Sequence, residues 1–252
     1  MLRVTTLLLC TIGAISTRPA LGDEALVAVA ASFVPPMEAV AAAIEAQTNH
    51  TVTLVSGSTG GLYAQIVNGA PFDVFVAADA ERPRLLEENG HGVAGTRATV
   101  ALGRLVLLSS NAALINTRGL DALHDDSIRR IAIANPSLAP YGVAARQALE
   151  ALGLWQALQP RLVRGESVAQ TYAMTATANA ELGFVALAQV LAHSADVAYE
   201  QIPDKLYSPI RQDVIVLARA RDNAAALTAR DYLRSARGRA IIEHFGYAIA
   251  ED

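Results

Sequence analysis

Short apolar runs alternate with amphipathic stretches along nearly the whole chain, and this alternation restricts the fold more than any other feature. An apolar run of about four to eight residues between turn formers makes a buried strand, whereas apolar residues at three- and four-residue steps make a helix with one buried face. Strand and helix in repeated succession build βα units around largely parallel sheets. The expected strands cover residues 25–30, 51–55, 72–77, 104–109, 131–134, 182–187 and 213–218. Between them, Met37, Val40, Ala41 and Ile44 mark one helix, with Pro35 and Pro36 accommodated in its first turn. Leu62 and Ile66 mark a second, closed by Gly69, and Leu85-Leu86 a third, with Asp79 as its N-cap and Gly90 at its end. Ala144, Ala148, Leu149 and Leu152 mark a fourth; a fifth follows Gly165-Glu166-Ser167-Val168 as far as Thr177, and a sixth spans residues 223–237. No internal repeat, low-complexity tract or flexible linker interrupts the pattern.

The N-terminus reads differently. Arg3, the apolar run 4–15 and the small-residue ending Ala20-Leu21-Gly22 form the three parts of a secretory signal, so residues 1–22 are expected to be removed and the mature chain to begin near Asp23. Leu7-Leu8-Leu9 lacks the small residue of a lipoprotein cleavage site before Cys10. Removal of the signal takes Arg3 and Arg18 but no acid, leaving 18 basic against 24 acidic residues and a net charge of −6. A basic nucleic-acid footprint is therefore absent. Cys10, the only cysteine, leaves with the signal, so disulfides and thiolate zinc sites are excluded from the mature chain and the core must supply its stability. A 52% apolar composition supports one large core or two modest ones.

Ser32, Ser58 with Thr59, Tyr141 and Val168 each stand where a loop opens into a helix. The first amides of a helix have no internal acceptor, and with the helix dipole they attract anions without any formal positive charge. The hydroxyls of Ser32, Ser58 and Thr59 add donors, although the same hydroxyls suit plain helix caps. Gly60-Gly61 after Ser58-Thr59 leaves room for a ligand to approach the backbone. A site built only from donors disfavours any anion that still carries a proton, so it prefers dianions such as molybdate, tungstate or sulfate over hydrogen phosphate. Each hydrogen bond to a charged group contributes about 1.5–3 kcal/mol net. Several together reach micromolar affinity, about −8 kcal/mol, or better.

Catalytic readings find less support. Ser56-Gly57-Ser58-Thr59-Gly60 lacks the first glycine of a nucleophile elbow, and the turn has no lysine for a phosphate loop. His50, His91, His124, His193 and His244 are isolated, with no pair at metal-ligand spacing. A secreted serine hydrolase using Ser58 requires a histidine brought to it by the fold.

Taken in order, Val29-Ala30-Ala31-Ser32, Gly57-Ser58-Thr59-Gly60, the segment 68–75 with Ala77-Ala78-Asp79, Ala134-Asn135-Pro136, Ala139-Pro140-Tyr141-Gly142, Leu182-Gly183-Phe184-Val185 and Phe245-Gly246-Tyr247 resemble the periplasmic molybdate-binding proteins of ABC importers. The resemblance runs from about residue 24 to the end. It implies the α/β type II periplasmic-binding-protein fold, two α/β lobes joined by two crossing strands with the ligand cleft between them. The lobes are expected over residues 23–103 with 210–252 and over 104–209. Carried over by position, the resemblance implies that Ser32 and Thr59 bind the oxyanion from the first lobe and Tyr141 and Val168 through their amides from the second, with Ser58 beside them. A tyrosine hydroxyl that some members place on the ligand falls at Ala186 here, and Tyr141 is the candidate to supply a hydroxyl instead. The implied chain is a periplasmic monomer without cofactor or catalysis that carries molybdenum only as molybdate and docks on a membrane permease. Sulfate, phosphate or an organic acid is the rival ligand, and reporting to a membrane receptor is the rival role.

Overall fold

The computed structural model describes residues 22–193 and 197–250. The expected secretory signal falls on residues 1–21 and Gly22, so all but its last residue lies outside the described residues. In chain order the elements are β1 (Glu24–Ala30), α1 (Val34–Glu45), β2 (Thr51–Gly57), α2 (Thr59–Val67), β3 (Val74–Ala77), α3 (Glu81–Glu88), β4 (Ala98–Gly103) and β5 (Leu105–Ser109). They continue with α4 (Ala112–Arg118), β6 (Ile131–Ala134), α5 (Pro140–Ala151), α6 (Trp155–Leu158), β7 (Leu162–Gly165), α7 (Val168–Ala176), β8 (Leu182–Ala186) and α8 (Leu187–Ala192). β9 (Ala198–Gln201), β10 (Ile210–Val216), α9 (Ala224–Arg234) and α10 (Ala236–His244) complete the chain.

The strands form two five-stranded sheets, ordered β2-β1-β3-β10-β4 and β7-β6-β8-β5-β9. In the first, β1 runs parallel to β2 and β3, while β10 runs antiparallel to β3 and β4. In the second, β6 runs parallel to β7 and β8, while β5 runs antiparallel to β8 and β9. The two sheets therefore repeat one topology, with β6, β7, β8, β5 and β9 in the places of β1, β2, β3, β10 and β4. No sequence repeat announces this. The chain passes between the sheets twice, through Arg104 alone and through residues 202–209. This is the architecture of the periplasmic binding proteins.

Both faces of the first sheet are covered, which explains the continuous apolar strands. Val27 and Val29 of β1, Val74 and Val76 of β3, and Val214 and Val216 of β10 pack beneath α1, α9 and α10 with Met37, Val40 and Ile44. The alternate residues Ala28, Phe75 and Ile215 pack on the other face with Leu62, Ile66 and Leu86 from α2 and α3. One contiguous core surrounds the second sheet, including Leu107, Ile133, Leu149 and Phe184. Among the described residues no helix is long and apolar enough to cross a membrane.

Several boundaries differ from the sequence reading. The helix expected over residues 223–237 is two helices, because Ser235 adopts an extended ψ of 161° and caps α10 by accepting from the Gly238 amide at 3.1 Å. The strand expected at 213–218 begins at Ile210 and ends at Val216, and the apolar run 182–187 bends at Leu187 into α8. β3 starts at Val74, since Asp73 is turned to accept from the Leu26 amide at 2.8 Å and from Arg219 at 2.7 Å. Ala80 holds the N-cap position of α3, one residue after Asp79, although the Asp79 carboxylate still accepts from the Arg82 amide at 2.9 Å. Strands β4, β7 and β9 and helices α4, α6, α8 and α10 have no counterpart in the sequence reading.

Candidate anion-binding site

In each sheet the two neighbouring parallel strands end at the same side and turn into helices there. Ser32 lies in the single 3₁₀ turn, Ala31–Phe33, between β1 and α1, and Ser58 and Thr59 join β2 to α2. Tyr141 is the second residue of α5 after β6, and Val168 the first of α7 after β7. Since β6 and β7 occupy the places of β1 and β2, the four junctions are topologically equivalent in pairs. Ligands of open α/β sheets bind beyond the carboxyl ends of such strands.

The structure brings all five residues, Ser32, Ser58, Thr59, Tyr141 and Val168, to one narrow cavity of about 200 Å³ including its mouth. Ala30, Gly57 and Ala78 contribute from the first sheet and Ala139 and Pro140 from the second. The enclosed part is only about 10 Å³, far below the several hundred Å³ of a site for an organic molecule. No charged side chain and no histidine belongs to the lining. The ion pair of Asp79 with Arg82 lines an adjoining cavity that shares Ala78, Ala139 and Pro140 with this one. Within this cavity Ser58 has no histidine or carboxylate beside it, and among the described residues no three His, Cys, Asp or Glu side chains group to hold a metal.

The hydroxyls are set by their surroundings. The Ala78 amide donates to Thr59 Oγ1 at 3.0 Å, which leaves the hydroxyl proton free to point elsewhere. Ser32 is buried, and its Oγ makes no hydrogen bond. A buried hydroxyl without a partner costs about 1–3 kcal/mol unless some group entering the cavity completes its hydrogen bond. The Tyr247 hydroxyl donates to the Ser32 carbonyl oxygen at 2.6 Å, while its ring meets Phe33 edge-on at 5.1 Å. The Tyr141 hydroxyl is aimed past the cavity at the strand crossing, where a β-carbon on Gly103 would lie 2.2 Å from it. It is buried near the Tyr247 and Ser32 side chains, with no contact that has hydrogen-bond geometry. Burial, reinforced by Tyr247, holds the Tyr141 phenol well above its ordinary range, and burial raises Tyr247 likewise. Both remain protonated donors at neutral pH.

Two details depart from expectation. Gly60 does not line the cavity; its amide donates to the Leu138 carbonyl oxygen of the facing half at 2.8 Å, so the close approach it permits is that of backbone to backbone. Ala186 is fully buried opposite Leu105 in the second sheet and does not reach the cavity, so no side chain there takes the place of the family tyrosine. Nothing local in the sequence marks Tyr247 or Leu138, since their contacts here span 215 and 78 residues.

Two α/β units facing each other across a cavity of helix starts and hydroxyls define a two-lobed solute binder. The chain belongs to the bacterial extracellular solute-binding proteins, whose family model matches residues 25–248. It is 45% identical over 228 residues to the molybdate-binding protein ModA of Azotobacter vinelandii, covering 90% of each chain. It is 40% identical over 229 residues to the molybdate-binding protein ModA of Rhodobacter capsulatus, covering 91% of this chain and 90% of that one. The solved structure of the Azotobacter vinelandii periplasmic molybdate-binding protein superimposes with a TM-score of 0.85 at 38% identity, covering 90% of this chain and 100% of the other. The resemblance read from the ordered motifs is thus a family relationship.

Proposed function

We propose that this chain is the periplasmic receptor that captures molybdate for an ABC importer and delivers it to the membrane permease, itself catalysing nothing. The observation that carries the reading is the meeting, in one uncharged cavity, of four helix starts and a buried Ser32 hydroxyl that lacks a partner. Ser32 and Thr59 bind the oxyanion from a first lobe of residues 23–103 and 210–252, with Ser58 beside them. Tyr141 and Val168 donate their amides from a second lobe of residues 104–209. Residues 1–22 direct the monomer to the periplasm and are removed. Because the lining offers hydroxyls, helix-start amides and apolar groups and no charged side chain, a fully ionised dianion is preferred, and the dimensions of the closed cavity distinguish molybdate and tungstate from the smaller sulfate.

Isothermal titration of residues 23–252 with molybdate, tungstate, sulfate and phosphate at neutral pH tests the ligand class. One-to-one binding of molybdate and tungstate, much tighter than sulfate, is expected; sulfate or phosphate binding more tightly would replace the ligand. The variant combining Ser32→Ala and Thr59→Ala should lose between about a hundredfold and ten-thousandfold in molybdate affinity, from two charge-assisted hydrogen bonds at about 1.5–3 kcal/mol each. Unchanged affinity in that variant would sink the site assignment.

A further inference from the structure

We propose that Gly60 is the residue through which the two halves of the site lock together, its amide and the Leu138 carbonyl forming a backbone latch that exists only when they are closed. The inference rests on the oxyanion-binding reading and adds a positioning residue that does not touch the ion. Gly60 is the second residue of α2, directly after Thr59, and its amide donates to Leu138 O at 2.8 Å across the cleft. A helix-start amide has no internal acceptor, so this one has been given to the opposite half instead of to the cavity.

The space at Gly60 is closed on three sides. A β-carbon there would lie 2.9 Å from Leu138 O, 3.2 Å from Leu138 Cα and 3.0 Å from Nη2 of Arg82. Two of the three neighbours are backbone, and that backbone is pinned. The Leu138 and Ala139 amides donate to Asn135 O at 3.0 and 2.9 Å, and the Ser137 amide to Asn135 Oδ1 at 3.1 Å. The Asn135 amide in turn donates to Gly165 O at 2.7 Å, tying the loop to the junction that carries Val168. These bonds resist a local shift of the loop. A methyl group at residue 60 is accommodated only by holding the halves apart, which withdraws Thr59 from Tyr141 and Val168.

The backbone of Gly60 is helical and needs no glycine for its conformation, since its φ is not among the positive values. Alanine is the better helix former. A glycine kept only for packing would lose stability on Gly60→Ala with and without anion, whereas a latch residue would show opposite effects in the free and loaded states. A ligand shifts the open-to-closed balance only through what it gains in the closed state, and the latch is part of that gain.

The test compares the wild-type chain, Gly60→Ala and Leu138→Ala by molybdate titration, stopped-flow dissociation, small-angle scattering and thermal midpoint. Gly60→Ala should keep or raise the midpoint without anion, weaken molybdate binding by about tenfold or more, mainly through faster dissociation, and compact less on loading. Leu138→Ala keeps the carbonyl and should bind as wild type. Wild-type affinity and compaction in Gly60→Ala would overturn the latch alone, as would an equal loss in Leu138→Ala. If the wild type binds none of molybdate, tungstate, sulfate and phosphate, the oxyanion reading falls and the latch with it.

Discussion

Ser32 is held from behind. Its carbonyl takes the Tyr247 hydroxyl at 2.6 Å, and Tyr247 is itself carried by a tail that pairs with β4, the Leu102 amide donating to Ala248 O at 2.7 Å and the Ala248 amide to Leu102 O at 3.0 Å. Tyr247→Phe keeps the ring against Phe33 but leaves a buried carbonyl without its donor, a loss of about 1–3 kcal/mol. Molybdate titration and thermal melting of this variant should show a lowered midpoint and an affinity weakened by about tenfold, because the Ser32 turn is no longer pinned. An unchanged affinity with a lowered midpoint would leave Tyr247 a role in folding alone. At this scale the sequence is legible where the determinant is local. A strand ending at Ala30, a turn and a proline-led helix identify the Ser32 junction from a dozen residues. Tyr247 and Leu138 carry no such mark, because their importance arises only when distant segments meet.

Elements are legible to the extent that burial stamps a period on them. β1, β3, β5, β6 and β8 lie inside sheets covered on both faces and stand out as apolar runs. β7 and β9 are edge strands, and the segments Leu-Val-Arg-Gly and Ala-Tyr-Glu-Gln contain too much exposed polar surface to be read as strands. The break between α9 and α10 has neither glycine nor proline, only Ser235, whose hydroxyl donates back to the Tyr232 carbonyl and accepts from the Gly238 amide. β10 presents the opposite problem, a fully buried acid inside a strand. The Asp213 carboxylate accepts from the Thr99 hydroxyl at 2.6 Å and meets Arg97 at 3.4 Å, yet burial outweighs these partners and raises its pKa above the ordinary carboxylate range. The unfolded chain ionises this carboxyl at its ordinary value, so the stability it contributes is complete below that value and declines as pH rises through the raised one. Asp213→Asn should therefore gain in thermal midpoint relative to wild type between about pH 4 and about pH 7. Melting curves at both ends of that range check the sign, and a gain on acidification would contradict it.

The whole molecule pairs a continuous half with an interrupted one. Every strand of the second sheet comes from residues 105–201, whereas the first sheet needs residues 24–103 and then β10, which inserts between β3 and β4. Contacts between distant segments form late because loop closure must precede them. In refolding followed by pulsed hydrogen exchange, amides of β5, β6 and β8 should gain protection before those of β3 and β4. Simultaneous protection would show that the halves fold as one unit. The sequential repetition of βα units is legible in the residues and their division into two halves in the family resemblance, but the equivalence of the two sheets is not, since that repeat is one of topology alone. The insertion of β10 has a consequence in time. A chain emerging from its N-terminus exposes Ser32 and Thr59 long before Ile210 arrives to complete the sheet that holds them. Until that segment is in place β3 and β4 have no strand between them, so the sheet behind both junctions is finished by one of the last parts of the chain to be made.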